Sequence, residues 1–150
     1  MKWELGSIQE YVQAKEYIDT AIIPLVTIEA GENSISSARQ VQYIVNLANQ
    51  IEGQIRGRAM LFPVLSIVPR YTDEQLTELL NEYVKQLQQD GFKNVVFLTQ
   101  KSWLEQRQVN VSGDILRVQD SEAQSVDDLK GDILKEAKRL TQTFIQIWNR

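Results

Sequence analysis

Apolar positions along this chain fall into two kinds of run. Short apolar-rich blocks occur at Thr20–Ile28 (TAIIPLVTI), Ala59–Val68 (AMLFPVLSIV), Val95–Thr99 (VVFLT) and Asp114–Val118 (DILRV). The first is rich in β-branched residues and does not alternate with polar ones, which suits a strand covered on both faces, as in parallel sheets, and the other three read as strands beside it. Between them, apolar residues recur at steps of three and four. One such stripe is Ala38, Val41, Val45, Ala48, Ile51 and Ile55; a second is Leu76, Leu79, Leu80, Tyr83, Val84 and Leu87; a third is Leu129, Ile133, Ala137, Leu140, Phe144 and Ile147. Each predicts an amphipathic helix. A shorter stripe, Ile8, Tyr11 and Val12, predicts a first helix ending near Tyr17.

Punctuation supports these elements. Ser7 with Glu10, and Thr72 with Gln75, have the spacing of capping boxes. Ser34 or Ser37 opens the second helix, and Gly57 and Gly91 are natural stops. Ser125, followed by Asp127 and Asp128, opens the last helix with negative charge where the dipole favours it. Ser102–Gln106 fits one or two helical turns.

Helices alternating with buried-looking strands are the signature of α/β folds. The expectation is one α/β domain over 1–150, a three-layer α/β/α sandwich with about four mainly parallel strands. Its expected strand order is 2-1-3-4, of flavodoxin-like or Rossmann-like topology. Residues 108–118 also fit a hairpin turning at Ser112-Gly113-Asp114. Pro24 and Pro63 sit at matching places in two aliphatic blocks, either because two βα units echo one another or by chance. Pro cannot donate to a ladder, so Pro63 suits an edge strand, whereas Pro24 falls in a strand that this order makes central.

The 150 residues carry 16 Lys+Arg against 20 Asp+Glu, a formal net charge of -4. That balance argues against general nucleic-acid binding, where Lys and Arg displace counterions from phosphates. The longest apolar block is about ten residues, short of the ~20 that span a bilayer. No apolar run follows Lys2, so a cytoplasmic protein is expected. Cys and His are both absent. Disulfides, thiolate nucleophiles, His general bases and the usual soft metal ligands are thereby excluded. Neither metal nor cofactor is expected.

In open parallel sheets ligands bind beyond the C-terminal ends of the strands. The loops there are Glu29–Ser37, Pro69–Asp73, Thr99–Trp103 and Asp120–Ser125. Asn33 and Ser34 could offer backbone N–H groups to an anion at a helix start, although Glu29 and Glu32 oppose one, and plain capping by Ser34, Ser36 and Ser37 accounts for the same residues. Arg70 beside Tyr71, and Lys101 beside Trp103, pair a cation with an aromatic, as a planar anionic ligand would require; aromatics covering the core edge are the simpler reading. Asp120, Glu122, Asp127 and Asp128 cluster, but the other strands end in Glu29, Arg70, Gln100 and Lys101. Helix-start charges explain the cluster more simply than a cation site. Tyr11, Tyr17, Tyr43 and Tyr83 read as packing residues with polar tips.

The last helix, at about 126–149, would be about 36 Å long, against ~17–20 Å for a strand of five or six residues. It should overrun the sheet and leave Phe144, Ile147 and Trp148 exposed. Two readings follow: they dock on the first helix, near Trp3, Ile8 and Tyr11, or they form an interaction surface for a homodimer or a protein partner.

The segment Lys15-Glu16-Tyr17-Ile18-Asp19-Thr20-Ala21-Ile22-Ile23-Pro24-Leu25, after the opening Lys2-Trp3, resembles the YpiF-like family of short proteins from Bacillus-type bacteria. The resemblance implies a cytoplasmic location and assigns no activity to any residue. The functional expectation is a non-catalytic binding or protein-interaction module. The alternative is a small enzyme or pseudo-enzyme holding an anionic or nucleotide-like ligand at the strand ends.

Overall fold

Two long helices on one face of a parallel sheet, and one on the other, set the shape of the molecule. The computed structural model describes residues 1–150. Its elements are α1 (Leu5–Gln13), β1 (Thr20–Thr27), α2 (Ser34–Gln54), β2 (Ala59–Leu61), β3 (Leu65–Ile67), α3 (Asp73–Gln89), β4 (Asn94–Gln100), α4 (Lys101–Leu104), β5 (Asp114–Val118) and α5 (Val126–Trp148). Every strand pairing is parallel, in the order β2-β1-β4-β5 with β3 also beside β1. The architecture is flavodoxin-like α/β. The expected order 2-1-3-4 is the one found, since β2 and β3 are two pieces of the block Ala59–Val68. β5 runs parallel to β4, so residues 108–118 are not a hairpin.

Side-chain alternation along the strands divides the core in two. Ile22, Val26, Val96, Leu98, Leu116 and Val118 face α2 and α5, meeting Ile44, Leu47, Ile51, Ala137, Leu140 and Phe144. Ala21, Ile23, Leu25, Val95 and Phe97 face the other way, onto Tyr11 of α1 and Leu76, Leu80 and Val84 of α3.

The prolines share one place in the sheet. Thr20 pairs with Ala59 and Ile22 with Leu61, but Leu25 pairs with Leu65. One additional residue is therefore taken up between β2 and β3, a bulge centred on Pro63. Thr20 N–H donates to the Arg58 carbonyl, Phe62 N–H to the Ile22 carbonyl and Ile28 N–H to the Ile67 carbonyl. Even-numbered residues of β1 thus face this edge, and the donor that Pro24 lacks would have faced the bulge.

At its start the chain lies along the same border: Leu61 N–H donates to the Met1 carbonyl and Trp3 N–H to the Leu61 carbonyl. The helix begins at once after this bridge. Glu4 is its N-cap, so Ser7 lies inside α1 and is no capping residue. Thr72 and Gln75 do form the reciprocal box of α3, and the Ser125 side chain caps α5.

The tail corrects an expectation. Phe144 is fully buried, Ile147 is buried and Trp148 is half-buried. α5 does outrun the strands, but α2, at 21 residues against 23, is nearly as long and lies alongside it. Ile51 of α2 and Ile55, its C-cap, share one core cluster with Phe144 and Ile147. Trp148 Nε1–H donates to Thr20 Oγ1 at 2.8 Å, and the Arg58 guanidinium lies 4.4 Å from its ring centre. Phe144 and Ile147 are thus interior and not exposed as expected, while Trp148 keeps part of its surface open. All three pack in the α2–α5 core, not in the cluster that holds Tyr11 of α1. Trp3 and Tyr11 stack instead on Phe62 and Phe92.

Candidate functional site

Strand order reverses between β1 and β4, so the first place to look is the crevice beyond their C-terminal ends. That crevice is plugged. Leu25, Val26, Thr27, Gln40, Ile44, Gln100 and Trp103 surround a space with no volume that a water molecule could enter. Trp103 Nε1–H donates to Thr99 Oγ1 at 2.8 Å, and Thr99 Oγ1–H donates to the Leu25 carbonyl at 2.7 Å. This chain of hydrogen bonds takes over where the β1–β4 ladder stops at Pro24 and Leu98.

The six residues proposed from sequence do not converge. Trp103 fills the plug. Tyr71 packs at the edge of the α3-side core, while Arg70 is exposed. Lys101 pairs with Glu105 at 3.4 Å on the surface. Asn33 is the exposed N-cap of α2 without a side-chain capping bond; its amide reaches Glu29 at 3.5 Å. Ser34 is exposed too. The hydroxyl that organises this loop belongs to Ser37, which donates to the Thr27 carbonyl and accepts from Glu29 N–H.

Open space lies one strand over, between the first turns of α2 and the segment leaving β5. A cleft of about 650 Å³ is lined there by Ile35, Arg39, Tyr43, Gln100, Asp120 and Val126 among others. Ile35 and Val126 stand 75% and 69% exposed on its lip. The segment is held by its own hydroxyls: Ser102 donates to Asp120, and Ser121 donates to Asp132 at 2.8 Å while accepting from Ala123 N–H. A neighbouring cavity of about 500 Å³ shares Tyr43 and Asp120 and adds Gln119, Asp132, Lys135, Glu136 and Arg139.

Within this second cavity Glu136 is saturated. It accepts from Gln119 N–H at 2.7 Å and from the Arg139 guanidinium, which also reaches the Arg117 carbonyl. Burial alone would raise its carboxyl, but the Arg139 and Gln119 hydrogen bonds outweigh that and hold it below its ordinary 4.5. Tyr43 is only 4% exposed. Its ring belongs to the core, yet its hydroxyl has no hydrogen-bond partner in the chain and is not sealed away, so it opens on the cavity. Burial, then the charges of Glu136 and Asp132, push this phenol up to about 12. No three acidic groups come together as a metal-holding set. No helix is long and apolar enough to cross a membrane.

Sheet order and cleft together define a flavodoxin-like α/β protein whose open strand-end space lies beside β5 and away from the switch point. The chain belongs to the family described as protein of unknown function (DUF2487), whose pattern matches residues 9–148. It is 30% identical over 154 residues to uncharacterized protein YpiF of Bacillus subtilis (strain 168), an alignment covering 99% of both chains. The resemblance to the YpiF-like family is thereby established. A solved structure described as a crystal structure of an hypothetical protein aligns with 95% of this chain and 76% of its own, at 13% identity. Its TM-score of 0.20 supports nothing about this fold.

Proposed function

We propose that this protein is a non-catalytic binding module, with its ligand seated in the cleft between the start of α2 and residues 120–129. The observation that carries this reading is the cleft itself. It has roughly the volume of ordinary ligand sites, exposed Ile35 and Val126 on its lip, and a polar lining of glutamine amides, Arg39 and the Asp120 carboxylate. Apolar lips over a few polar groups combine the burial that drives binding with the hydrogen bonds that select a ligand. Ser102, Ser121 and Ser125 support binding over catalysis, because their hydroxyls are spent on Asp120, Asp132 and the α5 cap.

Mass spectrometry of molecules that co-purify with the chain tests this, with Ala38→Trp as the comparison. Ala38 is exposed on the cleft wall, so a Trp there blocks the space and leaves the core alone. Species retained by the parent and lost from the variant are expected. Identical profiles from both would overturn the reading.

A further inference from the structure

We propose that the cavity beside this cleft, walled by Tyr43, Asp120 and Asp132, receives an organic cation through an alkylammonium head. The proposal rests on the binding-module reading and names its ligand chemistry. Three observations lead to it. The Tyr43 hydroxyl is the unpartnered polar tip of a side chain that is otherwise interior. Asp120 uses Oδ1 to accept from Ser102, and Asp132 uses Oδ2 to accept from Ser121, so each carboxylate keeps one oxygen uncommitted, and both residues line this cavity. Glu136 and Arg139 neutralise one another, which leaves Asp120 and Asp132 as the acidic groups of the wall without an ion-pair partner.

The open phenol oxygen is free to accept, so a ligand that supplies donors finds a partner there without displacing one from the chain. An ammonium carries three donors and no acceptor, which matches a wall of one phenolic oxygen and two carboxylate oxygens. An anion would meet those carboxylates unfavourably; the one cation without an ion-pair partner, Lys135, stands exposed at the margin. A metal ion fits poorly, because no three acidic side chains gather closely enough to hold one. The positive end of α2 is no obstacle. Tyr43 lies nine residues beyond Ser34, and the dipole is felt mainly within the first turn.

The test is a titration of the isotope-labelled full chain, followed through its backbone amide resonances. The probes are cadaverine as a free amine, N-acetyl-lysine methylamide as the same head on a peptide, pentanediol as the neutral analogue, and inorganic phosphate. At least one amine should shift Tyr43, Gln119, Asp120 and Asp132, and pentanediol should not. The tighter of the two amines tells a free polyamine from a lysine side chain. Tyr43→Phe, which keeps the ring in the core, and Asp132→Asn should each weaken binding about tenfold, the loss of one hydrogen bond to a charged group. If neither amine shifts these amides, or if both variants bind as the parent does, the proposal is wrong. Shifts caused by phosphate or pentanediol in place of the amines would overturn the cation chemistry and leave the cleft reading standing. Silence from every probe, together with an unchanged Ala38→Trp profile, would remove both.

Discussion

Pro24, in the central strand of the sheet, lies opposite the bulge that Pro63 opens in the edge strand. The ladder therefore has its two donor-less residues at a single defect. One interruption of the pairing accommodates both, and β1 keeps its bonds to β2 below the bulge and to β3 above it.

This placement separates the two prolines by consequence. Pro24 is buried, and replacing it with Ala would empty ring volume and aim a new N–H at the interrupted edge. A loss of about 1–3 kcal/mol is expected in urea unfolding. Pro63 is exposed at the bulge, so Pro63→Ala should change stability by less than about 1 kcal/mol. Equal effects would contradict the shared-defect account.

Gly113 and Gly131 should respond to Ala in opposite directions. A Cβ on Gly113 would lie 2.7 Å from the Val95 carbonyl oxygen and 3.0 Å from Val84 Cγ2, where α3 closes over the start of β5. Backbone has to shift, and Gly113→Ala should cost about 1–3 kcal/mol. Gly131 sits inside α5 with open space around it, and Gly131→Ala should stabilise by about 0.5–1 kcal/mol. Thermal midpoints of the two variants should fall on either side of the parent.

Truncating the end of α5 tests its interior position. Phe144→Ala should cost about 3–5 kcal/mol, the range for a fully buried aromatic. Trp148→Phe keeps the ring beside Phe144 and removes the hydrogen bond to Thr20, for about 1 kcal/mol. An Ala at 144 that left stability unchanged would return this segment to the surface.

Two of the five tyrosines should ionise late. Tyr43 is raised by burial and then by Glu136 and Asp132, Tyr11 by burial and then by Asp90. A phenol that holds its proton more tightly when folded stabilises the fold below its ordinary 10.0. For Tyr43 that contribution is lost as pH climbs toward about 12. Ultraviolet titration of the phenolates should show the late pair, and Tyr43→Phe should remove the later step. On the acid side the sign reverses. Glu136 is depressed, so its contribution is present above 4.5 and fades as pH falls below it; Glu136→Gln should flatten that decline.

The alternation of aliphatic blocks and helical stripes carried the fold, because the blocks of β1 and β4 are buried on both faces and each stripe on one. Thr72 with Gln75, and Ser125, were legible for the same reason: a cap is settled within four residues. The bulge was half legible, as a tension over Pro24 without its solution, since register depends on two strands at once. The tail misled because helix length was weighed against the strands alone, when α2 supplies the cover. Site residues were the least legible. Arg70, Lys101 and Trp103 sit at strand ends as expected, but Trp103 closes the crevice those residues would have served. Tyr43 looked like any helical aromatic, and what sets it apart, the meeting with Asp120 and Asp132, arises only once β5 and α5 are in place.

The first three residues and Arg139 finish the two margins of the sheet. Met1 and Trp3 are stitched to Leu61, and on the far side a guanidinium covers the carbonyl of Arg117. Exposed borders of this kind are where foreign ribbons attach and fibrils are seeded. At these points the molecule's own groups take up hydrogen-bonding positions that a foreign ribbon would otherwise occupy.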